Sequence, residues 1–178
     1  KPERFSHVEC AAAGLAALTA LISVEDTLQL KAGETVLIHG GAGGVAGFGI
    51  QLAKHLGARV ISTASASNHD YVRGLGADVV IDYRAQDFAR AVSNCDAVFD
   101  TVGADVTARS FAVLRAGGRL ASIAGGAQAP AADKAVFVEY VYGTSSPGDG
   151  SALGYQQTSS DDGGFNSIYV DSSYTSRY

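Results

Sequence analysis

The pattern of apolar and polar positions changes period twice along the chain. From Ser6 the stretch "SHVECAAAGLAALTALISV" is alanine-rich and apolar, with Ser6 and Glu9 at capping-box spacing, and it predicts a buried helix starting near Ser6. After a turn at 31–34 the helical period gives way to short, β-branched, nearly continuous apolar runs: "TVLIHG", "ARVISTAS", "ADVVIDY", "CDAVFDTV" and "GRLASIAG". Runs of that kind are the mark of strands covered on both faces. Between them the pattern predicts helices at 45–56, 68–75, 86–93 and 104–115. Alternating strands and helices require a parallel sheet with right-handed crossovers and helices on both sides. "HLGARVI" and "GLGADVVI" each close a helix with Leu-Gly-Ala, and Gly57 and Gly76 are expected as left-handed caps. A sixth strand, "AVFVEYVYG", is expected at 135–143, where it closes the edge of the sheet. The fold class is therefore α/β, a Rossmann-type doubly wound parallel sheet of about six strands with an irregular C-terminal tail.

From Gly143 onward the sequence is dominated by Ser, Gly, Asp and Tyr and shows no helical period. Three readings fit it: a flexible or irregular tail, short added strands such as "NSIYV", or a contact surface of the kind Tyr, Ser and Gly favour. Domain boundaries are expected accordingly, with 1–142 as one domain and 143–178 as the tail.

Composition narrows the class. A length of 178 residues suits one core, and 47% hydrophobic with 17% charged residues is ordinary globular usage. The formal charge of -5 gives no basic surface for nucleic acid or acidic lipid. No apolar run is expected to reach the roughly 20 residues that span a bilayer, and the start lacks a signal-peptide core, so the expected compartment is cytoplasmic, with no membrane partner. Cys10 and Cys95 form no CxxC pair and read as free thiols in apolar surroundings.

The densest chemical signal is the glycine run. "TVLIH" leads directly into Gly40, Gly41, Ala42, Gly43, Gly44 and Val45, and a helix follows. Gly41-x-Gly43-x-x-Ala46 fits the dinucleotide fingerprint: one glycine for the turn, one for close approach of a pyrophosphate, a small third residue for helix packing. The anion would then sit on the helix N-terminus, where unpaired N–H groups and the dipole favour it. An NAD site usually carries an acid at the end of the second strand, about 20 residues on. Here the strand ends "ISTASASN", without an acid before Asp70. A carboxylate there would repel a 2′-phosphate, whereas Ser65, Ser67 and Asn68 can donate to one, with Arg73 and Tyr83 as further candidates. NADP(H) is therefore expected over NAD(H). The tips of the fourth and fifth strands, "FDTVG" with Thr101 and Gly103 and "SIAGG" with Ala124 and Gly125, point to the same edge, where open α/β sheets bind ligands.

Taken in order, "CAAAGLAALTAL", "AGETVLIHGGAGGVAGFGIQLAKHLGARVI", "LGADVVIDYR", "DAVFDTVG" and "LRAGGRLASIAG" resemble the cofactor domain of the medium-chain dehydrogenase/reductases, in the zinc-free quinone oxidoreductase (zeta-crystallin-like) branch, over about residues 2–142. The resemblance implies NADPH-dependent hydride transfer to a quinone or activated enone. It places Gly40 to Ala46 under the pyrophosphate, with Ala46 for a usual glycine, and Ser65 and Asn68 at the 2′-phosphate, with Asn68 for a common lysine and Tyr83 as a further candidate. Thr19, Gly103, Ala124 and Gly125 would lie near the nicotinamide. Leu15 stands where zinc alcohol dehydrogenases carry a cysteine ligand, so no metal is expected. The resemblance also implies a homodimer, with the edge strand 135–143 as a possible contact. Family members place a GroES-like catalytic domain before this segment, so by the resemblance a chain that begins at the cofactor domain is expected to be a fragment or a recombined form.

Two rivals remain. Gly43-x-x-x-Gly47-x-Gly49 also matches the glycine spacing of short-chain dehydrogenases, which need Tyr-x-x-x-Lys, and no tyrosine here has lysine four places later. The other is a non-catalytic nucleotide-binding or interaction module. Catalytic residues are not identifiable: no triad or carboxylate pair occurs, and His7, His39, His55 and His69 are scattered and read as packing or surface residues.

Overall fold

A computed structural model describes residues 1–124 throughout and, beyond them, the backbone of three strands at 138–142, 154–158 and 165–169. Helix α1 (His7–Leu21) opens at Ser6, whose hydroxyl accepts the Glu9 N–H (3.1 Å) while the Glu9 carboxylate accepts the Ser6 N–H (2.7 Å), the capping box the sequence predicts. Its last turn continues as a π-helical turn, Ile22–Thr27, in which the Leu28 N–H reaches back to the Ser23 carbonyl. The alternation then runs β1 (Thr35–Ile38), α2 (Gly44–His55), β2 (Arg59–Ala64), α3 (His69–Gly74), β3 (Val79–Asp82), α4 (Phe88–Ala91), β4 (Cys95–Asp100), α5 (Asp105–Ser110) and β5 (Leu114–Ser122). Strands β6 (Val138–Tyr142), β7 (Gly154–Thr158) and β8 (Phe165–Tyr169) complete one sheet in the order β3-β2-β1-β4-β5-β6-β7-β8.

The first six strands are parallel, in the order 3-2-1-4-5-6 of doubly wound dinucleotide-binding sheets. The last two add antiparallel within the stretch read as tail, and β8 overlaps the "NSIYV" named there as an added strand. Strand β6 is hydrogen-bonded to β5 on one flank and β7 on the other, so residues 138–142 are interior and the expectation of a free edge at 135–143 is corrected.

Side chains of β1 show why its run is apolar throughout. Val36 and Ile38 pack with Val60, Ala97, Phe99 and the α2 residues Ala46, Ile50 and Ala53 on one face. Leu37 faces the other way, onto Ile61, Val98, Leu120 and Phe88. Each layer removes apolar area from water, at about 25 cal/mol per Å². Gly57 (φ +83°) and Gly76 (φ +114°) take the left-handed cap positions predicted for them.

The expectation that no apolar run reaches membrane-spanning length is also corrected. His7–Thr27 is one helical stretch of 21 residues, long and apolar enough by length and composition to cross a membrane. The small residues between its larger ones disguise that length. Here Ala20, Ile22, Ser23 and Val24 of this stretch are buried in the fold, while Val8 and Leu15 are exposed.

Candidate functional site

The carboxyl end of β1 meets the start of α2 at the glycine run. Gly40 adopts φ +70°, and its N–H donates to Thr63 Oγ1 (3.1 Å), so it makes the turn. A Cβ at Gly41 would lie 2.2 Å from Ser62 Oγ of β2 and 3.0 Å from Val72 Cγ1 of α3, so the protein's own packing already requires a glycine here. Ala46 is fully buried and packs α2 onto the sheet, the task the fingerprint gives its third position. Between these fixed points Ala42, Gly43 and Gly44 are exposed, and Gly43 is an extended N-cap whose helix receives no side-chain cap. First-turn N–H groups of an α-helix have no intrahelical acceptor, so this corner presents donors and a positive dipole end to solvent. A Cβ at Gly44 would meet only Ala16 Cβ, at 3.9 Å, so the approach is open.

The second cluster sits where β2 ends. Ser65 caps a 3-10 turn at Ala66–Asn68; its hydroxyl lies 3.3 Å from Ser67 Oγ and accepts from Asn68 Nδ2 (3.1 Å). The three polar side chains singled out in the sequence are thus gathered at one point without an acid among them. Arg73 is exposed and paired with Asp70 (3.2 Å) one helical turn away. Tyr83 is exposed, lies beneath the Arg84 guanidinium and lines a cavity of about 670 Å³ with His39, Gly40, Thr63 and Val102.

The third group lies at the ends of β4 and β5. Thr101 Oγ1 donates to the His39 carbonyl (2.8 Å) and would stand 2.9 Å from a Cβ at Gly40. Gly103 (φ +85°) approaches Ala124 so closely that an added Cβ would lie 2.6 Å from its methyl. Asp100 is fully buried; its carboxylate accepts the N–H groups of Val102 (2.8 Å) and Gly103 (3.1 Å) and the Thr107 hydroxyl. Thr19 is buried in α1 and its hydroxyl donates to the Leu15 carbonyl of the same helix (2.9 Å). Gly125 lies outside the described residues.

The sequence pattern places His39 among the packing or surface residues. It is buried at the head of the cavity, edge-on to the Phe88 ring at 4.6 Å, with both ring nitrogens bonded, and burial lowers its pKa to about 4, with Asp100 opposing and Arg109 adding to the shift. Its partners, Thr63 and Ser110, lie 24 and 71 residues away, so no local pattern reveals them. Cys95 is buried, and burial lifts its thiol to about 11, which leaves it inert at neutral pH. Among the described residues no three His, Cys, Asp or Glu side chains gather as a metal site.

A sheet in 3-2-1-4-5-6 order with bare amides at its first strand-to-helix turn defines a dinucleotide-binding domain. The chain belongs to the zinc-binding dehydrogenase family, whose pattern matches residues 44–158, in the medium-chain dehydrogenase/reductase superfamily, and its relatives include quinone and alkenal/one oxidoreductases as well as polyketide synthases. A chloroplastic NADPH-dependent alkenal/one oxidoreductase of Arabidopsis thaliana is 34% identical over 132 residues, 73% of this chain and 33% of that protein. The quinone oxidoreductase from Coxiella burnetii is 43% identical with a TM-score of 0.63, over 69% of this chain and 39% of the other. A mycobacterial protein solved in complex with NADPH is 34% identical with a TM-score of 0.69, over 78% and 47%. The chain therefore spans about a third of the curated relative and less than half of these solved chains.

Proposed function

We propose that residues 1–142 bind NADP(H) as the nucleotide-binding domain of a reductase that delivers hydride to a quinone or an activated enone. The observation that carries this reading is the open turn at Ala42–Val45, where the Gly43 N–H is taken by the Gly40 carbonyl (2.7 Å) and the Ala42, Gly44 and Val45 N–H groups suit a pyrophosphate. Ser65, Ser67 and Asn68 supply neutral donors for a 2′-phosphate, and with no acid among them nothing repels its charge. The cavity between Gly40, Thr63, Tyr83 and Val102 begins at the Gly40 turn and has the volume for an adenosine. Thr101, Gly103, Ala124, Gly125 and Thr19 are assigned to the nicotinamide half. The NADPH complex of the mycobacterial relative and the NADPH-dependent plant relative support the choice of nucleotide.

When bound, the nicotinamide supplies the hydride. This chain's residues bind the phosphates, hold the two halves of the nucleotide at fixed separation and exclude water from the adenosine. The reading assigns no metal, because Leu15, at the position of a zinc-ligating cysteine by the family resemblance, offers only an alkyl chain.

Isothermal titration of the full chain with NADPH and with NADH tests the reading. One-to-one binding with NADPH the tighter is expected; a folded chain that binds neither nucleotide overturns it. Turnover with a simple quinone separates the reductase from a non-catalytic binding module, which would bind NADPH without oxidising it. A homodimer through 138–142 remains a further proposal: it requires β7 to leave β6, and a monomer by light scattering refutes it. We also assign the chain to the cytoplasm, which cell fractionation checks.

A further inference from the structure

Beneath the open turn a chain of hydrogen bonds runs through the buried His39, behind the cavity wall that Gly40 and Thr63 share. The Gly40 N–H donates to Thr63 Oγ1 (3.1 Å), and the same oxygen lies 3.2 Å from His39 Nδ1. On the other side of the ring, His39 Nε2 lies 2.9 Å from Ser110 Oγ, whose hydroxyl donates to the Val106 carbonyl (2.6 Å). A serine hydroxyl has one proton. Because Ser110 gives it to Val106, Ser110 must accept from His39, which puts the imidazole proton on Nε2. The lone pair is then on Nδ1, and the Thr63 proton points to it. Thr63 is left with its oxygen facing the Gly40 N–H. Every proton in the series Gly40, Thr63, His39, Ser110, Val106 thus has one direction, and only the neutral Nε2–H imidazole completes it.

The same residue holds the second turn of the site, since its carbonyl accepts the Thr101 hydroxyl (2.8 Å). His39 is 1% exposed and edge-on to Phe88, so it has no freedom to turn over. The charged groups around it are Asp100 from β4 and Arg109 from α5, the latter paired with Asp87, the N-cap residue of α4, and with Asp105 at the start of α5. Neither charge bonds to the ring. The ring's three connections therefore reach β2, α5 and α4, and the backbone carbonyl of the same residue reaches the turn after β4, all from one position just past β1.

We propose that His39 is a positioning residue for the nucleotide: through Thr63 it fixes the Gly40 turn, and so sets where the first amides of α2 meet the pyrophosphate. This rests on the NADP(H) reading of that turn. It assigns His39 no contact with the reacting atoms.

A double-substitution cycle read by NADPH affinity tests it. His39→Leu removes both ring bonds, and Thr63→Val removes the link to Gly40. Each is expected to weaken NADPH about tenfold, and the double variant no further, because both cut one path. His39→Asn can place an acceptor near Nδ1 for the Thr63 hydroxyl and is expected to keep affinity within about threefold of the parent. Affinity unchanged in Thr63→Val, or losses that multiply in the double variant, overturns the proposal. Should the leucine variant not fold, the ¹⁵N shifts of the His39 ring in the parent chain decide: neutral with the proton on Nε2 is expected at neutral pH, and a proton on Nδ1 overturns the scheme. Failure of the parent chain to bind NADPH at all would instead remove the cofactor reading on which this depends, and binding that none of the variants changes would remove only the role of His39.

Discussion

Two adjacent strands end in the same way and are finished differently. Strands β1 and β4 pair in parallel to Ile38 and Phe99, and one residue further on they carry His39 and Asp100. Each chain then turns through a glycine at positive φ, Gly40 at +70° and Gly103 at +85°, into a helix. After β4 the turn contains its own anion: the Asp100 carboxylate takes the N–H groups of Val102 and Gly103 and the hydroxyl of Thr107. After β1 the corresponding position is a neutral imidazole directed sideways to Thr63 and Ser110, and the exposed glycines beyond it have no internal acid. One turn is complete within the protein; the other has no side-chain cap of its own, and the NADP(H) reading assigns it a phosphate. Side by side at the carboxyl edge of one sheet, they separate what the fold requires of a strand-to-helix turn from what a ligand requires.

The comparison breaks most severely at the closed turn. Asp100→Ala leaves two buried donors, the Gly103 N–H and the Thr107 hydroxyl, and the part-buried Val102 N–H without their acceptor, and is expected to cost about 4 kcal/mol in urea unfolding. Acid comes next. The folded pKa of His39, about 4, lies below its unfolded value of 6.5, so the unfolded chain takes the proton first. Stability contributed by the neutral ring is complete above pH 6.5 and is lost as pH falls toward 4, on the order of 3 kcal/mol in all. Unfolding midpoints measured down that range should fall in the parent and stay flatter in His39→Asn.

A carboxylate placed in the open turn makes it resemble the closed one. Gly44→Asp is expected to raise stability by up to about 1 kcal/mol, since an acid suits the first turn of a helix, and to weaken NADPH about a hundredfold by repelling its phosphates. Calorimetric melting and titration read the two opposite signs. The smallest effect belongs to the end of β2: replacing Ser65 and Asn68 by alanine should weaken NADPH about tenfold and leave NADH within twofold. Equal losses for both nucleotides would place the 2′-phosphate elsewhere.

Much of the scaffold is legible in the sequence because its signals are local. The Ser6–Glu9 box, the caps at Gly57 and Gly76 and the doubly buried strands all act within a few residues. Helix α4 is shorter than the predicted 86–93, confined to Phe88–Ala91, because Asp87 caps its start, accepting the Ala89 N–H, and Val92 is already extended. The predicted helix at 104–115 ends at Ser110, passes through a 3-10 turn and yields to β5 from Leu114. The apolar period does not distinguish the last helical turn from the first strand residues there. The glycine run is legible as a turn, but the reason for Gly41 is not, since Ser62 meets it from the next strand. The hydrogen-bond chain through His39 joins residues far apart in sequence and is visible only once the sheet is assembled.

The open turn itself can be watched directly. In a ¹⁵N-labelled sample titrated with NADPH, the amides of Ala42, Gly44 and Val45 should show the largest saturable shifts. NADPH binding that leaves those amides unmoved, or a folded chain that does not bind it, would contradict the assignment of this corner to a phosphate.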